Sequence, residues 1–272
     1  AGECKYHESG GRFLQLQDTI IETIVEAVTS NNAFSYWEIP LIGFVSAARP
    51  EFNDLKKIVS ENHLVPRDIL PGAKSVICYF IPFHSSVVES NRDGDKASME
   101  WARAYIATNE LIAHIGDVIE SLMGKDGFQV GKIPATHNFD KAALISNWSH
   151  RHVAYIAGLG TFGINNMFIT DRGCCGRLGS IVTDYEFEYP AFVDREERCL
   201  FKRDGSCGIC QNRCEKEVYK NGTFNRASCY ETCLENADYY RDIGLADVCG
   251  KCCVGLPCSM TDPTKKKRSQ SV

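Results

Sequence analysis

Ten of the chain's fourteen cysteines lie between Cys199 and Cys258, and no other feature limits its folding as much. Leu, Ile, Val and Phe thin out from Pro190 to Cys258, a stretch of about 70 residues. A segment of that kind cannot bury much apolar surface of its own, so a bound metal is expected to help fold it. The N-terminal sequence lacks the charged, apolar and small-residue regions of a signal peptide, and no run of about 18 apolar residues occurs. The expectation is a soluble, cytoplasmic protein with no membrane partner. Disulfides are rare in a reducing compartment, and dense local cysteine there points to metal.

The cysteines fall into two groups. The first is Cys199 followed by Cys207-Gly-Ile-Cys210-Gln-Asn-Arg-Cys214, and the second is Cys249-Gly-Lys-Cys252-Cys253-Val-Gly-Leu-Pro-Cys258, preceded by Cys229 and Cys233. Four thiolates bind zinc or an iron–sulfur cluster, and paired C-x-x-C motifs do not decide between them. In two-cluster ferredoxins the last cysteine of each group ligates the other group's cluster. Both groups here end in an outlying cysteine, Cys214 and Cys258. This predicts one 4Fe-4S cluster on Cys199, Cys207, Cys210 and Cys258, and a second on Cys214, Cys249, Cys252 and either Cys229 or Cys233. A structural zinc ribbon is the alternative. The proline that usually follows the outlying cysteine is missing, Glu215 and Ser259 standing in its place.

The first 190 residues read as an α/β domain. Phe13, Leu16, Ile20, Ile21, Ile24 and Val28 recur at helical spacing until Asn31-Asn32, and Ile42 to Ser46 suits a short strand. The turn signal Pro71-Gly72 feeds a strand over Ser75 to Ile81 whose unbroken apolar character suits burial on both faces. A polar loop over Glu89 to Lys96 leads to a helix with an apolar face at Tyr105, Ile112, Ile115, Ile119 and Leu122, stopped by Gly124. The pattern predicts a further helix from Ala142 to Ala157 and a final strand from Gly176 to Asp184. Pro190 marks the expected boundary, giving units at 1–190 and 191–262 and a basic tail at 263–272.

The net charge of −5 argues against binding nucleic acid through bulk charge. Only Lys265 to Arg268 form a basic run. Gly158-Leu-Gly160-Thr-Phe-Gly163 fits the dinucleotide-binding pattern, but that motif needs a strand before it and a helix after it. Here a helical segment runs into the glycines, and Ile164 to Thr170 does not read as a helix. The three glycines instead suit close approach of backbone to a large flat ligand.

Ala157 to Asn166, followed by Leu178 to Asp184, resembles the core motif of epoxyqueuosine reductases and of the related corrinoid-dependent reductive dehalogenases. Val65 to Ile77 and Ile42-Gly-Phe44 match other stretches of that family in the same order, Arg103-Ala-Tyr105 falls where it carries a helical tyrosine, and the cysteine groups fall where its clusters do. The resemblance covers most of residues 40 to 258. It implies an α+β fold with an α/β-type core: a nitroreductase-like domain holding cobalamin, followed by a ferredoxin-like module with two 4Fe-4S clusters. It also implies cobalamin contacts from Gly158, Leu159, Gly160, Thr161, Phe162, Gly163, Asn165 and Asn166, and no axial histidine on cobalt.

Tyr105 is the candidate proton donor, being a phenol expected beside the cofactor. His150, in Ser149-His150-Arg151-His152, is the second candidate, since an imidazole titrates near neutrality. The aspartate by which epoxyqueuosine reductases donate a proton should fall at Leu144 to Asn147, where this sequence has no acid. The expected activity is therefore a corrinoid-dependent iron–sulfur reduction of a small molecule, supplied with electrons by a low-potential ferredoxin- or flavodoxin-type donor under anaerobic conditions. Two alternatives are an electron-transfer protein that reduces the corrinoid of a partner protein and an epoxyqueuosine reductase acting on tRNA.

Overall fold

A computed structural model describes residues 8–136, 139–190, 193–214, 216–219 and 223–265, with side chains from residue 15 onward. In chain order the regular elements begin with α1 (Glu8–Thr29), β1 (Leu41–Ser46), α2 (Glu51–Ile58), α3 (Pro66–Ile69), β2 (Ser75–Pro82), α4 (Ser85–Ser90) and α5 (Met99–Gly124). They continue with β3 (Val130–Lys132), β4 (Phe139–Asp140), β5 (Ile145–Ser146), α6 (His150–Ile156), β6 (Gly160–Phe162), β7 (Phe168–Thr170) and β8 (Gly176–Thr183). The cysteine-rich part contains α7 (Leu200–Asp204), α8 (Ile209–Asn212) and α9 (Arg226–Tyr239). None of the helices among the described residues is long and apolar enough to cross a membrane.

The main sheet has the order β1-β2-β8-β3, and every pairing in it is antiparallel. This corrects the α/β reading: the core is α+β. The unbroken apolar run of β2 has a different origin from that of a parallel strand. Alternate side chains enter two cores, Ile77, Tyr79 and Ile81 packing with α1 and α5, and Val76 and Cys78 with α2 and α6. Every residue of β2 is buried as a result. Ile20, Ile24 and Val28 form the buried stripe of α1, and Ile112, Ile115 and Ile119 that of α5, as their spacing predicts.

The helix expected from Ala142 to Ala157 is confined to its second half. Asp140 accepts the backbone N–H groups of Ala142 and Ala143 at 2.8 and 2.7 Å, and Leu144 takes a φ of 53°. These local bonds hold a tight β4–β5 hairpin in place of a first helical turn. Ser149 then caps α6, accepting from the His152 N–H at 3.4 Å.

The cysteine-rich part packs into the same core as the sheet: Tyr240, Ala246, Cys253 and Val254 are buried with α5 side chains. Its tail end is pinned to the loop before β8, where Cys174 N donates to Cys258 O at 2.9 Å and Cys175 N to Ser259 O at 3.0 Å. The boundary expected at Pro190 adjoins residues 191–192, which lie outside the described residues, as do residues 266–272 of the basic tail.

Candidate functional site

The ten clustered cysteines surround two hollows. Cys199, at the N-terminal end of α7, Cys207, Cys210 on α8 and Cys258 line the first, together with Gly163, Ile164 and Asn165. Cys214, Cys229, Cys233, Cys249, Cys252 and Cys253 line the second, a cavity of about 340 Å³. The crossed partition expected of Cys214 and Cys258 is the partition of the walls. Burial, with the neighbouring thiols of Cys252, Cys258, Cys199 and Cys207, pushes Cys210 up to about 12. Burial likewise pushes Cys249 up to about 11. Thiolates so crowded and buried need a cationic partner to shed their protons, which is what a metal supplies. No group of three or more His, Cys, Asp or Glu among the described residues stands at the spacing of a single metal ion. The thiols face one another across hollows instead.

The second hollow is also the reaction-side candidate. Tyr105 reaches it from α5, and Arg177 from the start of β8. The Tyr105 hydroxyl donates to Asp247 Oδ1 at 2.7 Å, with Thr136 Oγ1 at 3.5 Å, and the Arg177 guanidinium lies 4.2 Å from the Tyr105 ring centroid. Burial pushes the Tyr105 phenol up, which keeps it protonated. Arg177 Nη2 is held by Asn109 at 2.8 Å, whereas Nη1 is a buried donor with no partner among the described residues. Trp101 Nε1, on the same cavity wall, is a second such donor.

A neighbouring cavity of about 370 Å³ shares Met167, Cys174, Gly176 and Arg177 with it and extends along Trp148, His150 and Leu178. The two adjoin at Arg177 in a trough with apolar side chains at Met167, Phe168 and Leu178 and polar ones at Ser146, Ser149, His150 and Arg151. A corrin suits such a trough: it offers wide apolar walls and unsatisfied donors to a polar, flat group.

The glycine-rich loop behaves differently from its expectation. None of residues 158–166 lines either of these adjoining cavities; Gly163, Ile164 and Asn165 face the first thiol hollow instead. The glycines serve the β6–β7 hairpin itself. A Cβ on Gly160 would stand 2.0 Å from the Ile169 carbonyl oxygen, and Gly158 has a φ of 79° with Val193 against it. Thr161 Oγ1 accepts the Arg198 N–H at 3.0 Å, and Asn165 Nδ2 donates to Cys252 O at 2.7 Å. Leu159 and Phe162 pack against the core around Trp148, and Asn166 turns the hairpin at a φ of 58°. The loop therefore ties the sheet domain to both cysteine groups, and its glycines are approached by the chain itself: Gly160 by the Ile169 backbone, Gly158 and Gly163 by the side chains of Val193 and Asn165.

His150 also lines the trough, but both ring nitrogens are engaged. Nε2 donates to Pro134 O at 3.0 Å, so Nδ1 accepts from the Ser180 hydroxyl at 2.8 Å, and Ser180 in turn accepts from Trp148 Nε1 at 3.0 Å. Burial pulls His150 down to about 4. The one ring proton of the neutral imidazole is engaged by Pro134 O, so His150 would have to give up that bond to act as an acid. Sequence reasoning passed over Arg177, Asp247 and Trp101. Asp247 stands two residues before Cys249, and Arg177 two after Cys175, in segments read only for their cysteines.

No family model matches the chain, and no curated protein does. Solved structures do. An epoxyqueuosine reductase superposes over 91% of this chain and 66% of its own length, with a TM-score of 0.55 and 18% identity. An epoxyqueuosine reductase bound to an epoxyqueuosine-modified tRNA-Tyr stem loop covers 91% of this chain and 64% of its own, with a TM-score of 0.53 and 19% identity. A catabolic reductive dehalogenase covers 82% of this chain and 30% of its own, with a TM-score of 0.56 and 14% identity. The chain thus spans about two-thirds of the length of the epoxyqueuosine reductases and less than a third of the dehalogenase. It shares their fold.

Proposed function

We propose that this chain is a cobalamin-dependent iron–sulfur reductase of small molecules, with a nitroreductase-like domain over 1–190, a ferredoxin-like double-cluster module over 191–262 and a basic tail at 263–272. The observation that carries the proposal is the crossed partition of thiols around two hollows, the second of which opens on Tyr105 and Arg177. Cys199, Cys207, Cys210 and Cys258 hold one 4Fe-4S cluster; Cys214, Cys249 and Cys252, with one cysteine of α9, hold the other. Electrons come from a low-potential ferredoxin- or flavodoxin-type donor. Met167, Phe168 and Leu178 form the apolar wall of the trough assigned to the corrin, beside the second cluster. Cobalamin, when bound, supplies a low-valent cobalt from which a substrate takes electrons.

The chain's own residues do the rest. Arg177 Nη1 holds the anionic or electronegative end of the substrate. Tyr105 gives the proton from its hydroxyl oxygen, and Asp247 fixes the direction of that O–H. The indole of Trp101 closes the cavity floor against water.

Epoxyqueuosine on tRNA is the second reading. The fold shared with a tRNA-bound reductase favours it, and a net charge of −5 argues only against binding through bulk charge. The absence of an acid from Leu144 to Asn147 speaks for a different substrate.

The test is anaerobic purification followed by iron, sulfide and cobalamin analysis. We expect about eight irons and eight sulfides per chain, the sum of two 4Fe-4S clusters, and a corrinoid spectrum on adding cobalamin. Stoichiometric zinc without sulfide overturns the cluster assignment. Reduction of a separate corrinoid protein's cobalt, without cobalamin binding by this chain, replaces the reductase with an electron carrier.

A further inference from the structure

The two thiol hollows have different surroundings. The second adjoins the trough, whereas the first shares no wall residue with either cavity of the trough. An electron that reaches the trough through both clusters therefore enters at the first. Large apolar side chains stand exposed there. Phe201, on the wall of the first hollow, is 43% exposed, and Ile209, between Cys207 and Cys210 in the sequence, is 44% exposed. A Cβ on Gly208 would stand 3.7 Å from the Phe201 ring, so Phe201, Gly208 and Ile209 form one continuous patch. Pro257, exposed on the same wall, adjoins Cys258. Contiguous exposed apolar groups with a charged rim mark an interaction site.

The rim is basic. The stretch from Arg198 to Arg213 carries Cys199, Cys207 and Cys210, and in it Arg198, Lys202, Arg203 and Arg213 stand against a single carboxylate, Asp204. Asp171, Glu197 and Asp262 also lie here, but each is held in an ion pair by Arg198, Lys202 or Lys265. Arg203 is exposed in the last turn of α7, and Asp204 accepts the Ser206 N–H at 2.9 Å. Pro263 belongs to the same wall, and the basic run begins two residues beyond it, Lys265 being followed by Lys266, Lys267 and Arg268. At no more than about 3.6 Å of chain per residue, the backbone of those three cations stays within about 11 Å of that of Lys265. The chain as a whole carries −5, so a basic rim at one place turns an approaching anionic partner towards it.

We propose that the patch of Phe201 and Ile209, rimmed by Arg203 and the basic run from Lys265, is the docking surface for a small acidic ferredoxin that reduces the first cluster. The proposal rests on the two-cluster reading above. The apolar patch makes the short-range contact, and the rim steers the encounter and fixes its orientation. In each encounter one electron leaves the iron–sulfur centre of the ferredoxin, which is oxidised, and reduces the first cluster by one; no atom is transferred.

The test uses the full chain, prepared without oxygen and with its iron and sulfide measured. Parent protein without sulfide defeats the two-cluster reading and the docking surface with it. A loaded parent is mixed rapidly with dithionite or with a reduced acidic ferredoxin, and cluster bleaching is followed. Reduction by the ferredoxin should slow as salt is added, because screening weakens steering. Arg203→Glu, and separately Lys266→Glu combined with Lys267→Glu, should lower the second-order rate with ferredoxin about tenfold at low salt, the lower end of electrostatic steering. Iron content and reduction by dithionite should not change. Ile209→Ser should slow the ferredoxin reaction at high salt as well. Lys125→Glu, at the opposite end of α5 from Trp101, should have no effect. Should Arg203→Glu lose iron, the Lys266 and Lys267 variant decides. Unchanged ferredoxin rates in the charge variants overturn the proposal, as does a ferredoxin that fails to reduce a parent bleached by dithionite. Equal slowing by Lys125→Glu also overturns it, since the effect then belongs to net charge and not to this face. A tRNA stem loop held by the parent and released by the Lys266 and Lys267 variant, with the ferredoxin rate unchanged, gives the basic run to RNA and overturns the proposal.

Discussion

The Tyr105 hydroxyl and the Asp247 carboxylate meet at 2.7 Å across the mouth of the second thiol hollow, joining the long helix α5 to the segment just before Cys249. The pair fixes the Tyr105 phenol, and Arg177 covers the same ring. Tyr105→Phe removes the proton and leaves the ring packing. We expect it to keep full iron and cobalamin content and to lower turnover about 100-fold, the ordinary scale for a positioned general acid. The measurement needs a substrate found by screening halogenated, epoxide and unsaturated compounds with a low-potential reductant. Unchanged turnover removes Tyr105 from the chemistry.

Arg198 and Asp262 form a nearly dry ion pair, 7% and 3% exposed, with Nε and Oδ2 at 3.4 Å. Arg198 also donates to Leu159 O at 3.2 Å and pairs with Asp171 at 3.1 Å. The pair ties the residue before Cys199 to the stretch after Cys258, so the two ends of the first ligand set are held by it. Asp262→Ala removes the buried one of the two carboxylates and leaves Asp171 at 3.1 Å, so the cost stays below the about 3–5 kcal/mol of a buried charge left with no partner. The expected result is a lower denaturant midpoint under anaerobic conditions, with iron released at the same denaturant concentration as the tertiary structure is lost.

The residues read correctly from sequence share one property, that their role is set by periodicity or by spacing along the chain. The buried stripes of α1 and α5 are examples. Arg177 and Asp247 carry no such signature: each is a single polar residue that the chain path brings to Tyr105 from 72 and 142 positions away. The glycine loop carries a related ambiguity. Three closely spaced glycines report that something approaches the backbone closely, but not whether it is a ligand or the chain itself, and at Gly160 it is Ile169. The hairpin over 139–146 was hidden because Asp140 overrides helical propensity through two short-range bonds.

The Ile169 contact bears on what Gly160→Leu should do. A side chain there cannot coexist with the Ile169 carbonyl 2.0 Å from its Cβ position, so β6 and β7 must separate. Gly163, Ile164 and Asn165, just beyond, wall the first thiol hollow. We expect the variant to lose iron from the first cluster and to unfold more easily, with any loss of cobalamin following from that. A variant that keeps all its iron and loses only cobalamin restores the corrin-contact role expected from the motif.

His150 provides a test by pH. Its folded-state value is pulled by burial from 6.5 to about 4, so between those values the unfolded chain binds a proton that the folded chain does not. Stability therefore falls as pH drops from 6.5 towards 4 and changes no further through this group below that range. The full effect is about 3 kcal/mol for a group shifted by this much. His152, also pulled by burial from 6.5 to about 4, adds to the same slope. His150→Gln keeps an amide donor for Pro134 O but cannot titrate. We expect anaerobic denaturant unfolding of this variant to show a weaker dependence on pH between 6.5 and 4 than the parent, and lower stability than the parent at pH 7. An equal slope in parent and variant means that His150 is protonated in the folded state at these pH values. In that case the chain of bonds from Trp148 through Ser180 to Pro134 does not hold the imidazole neutral.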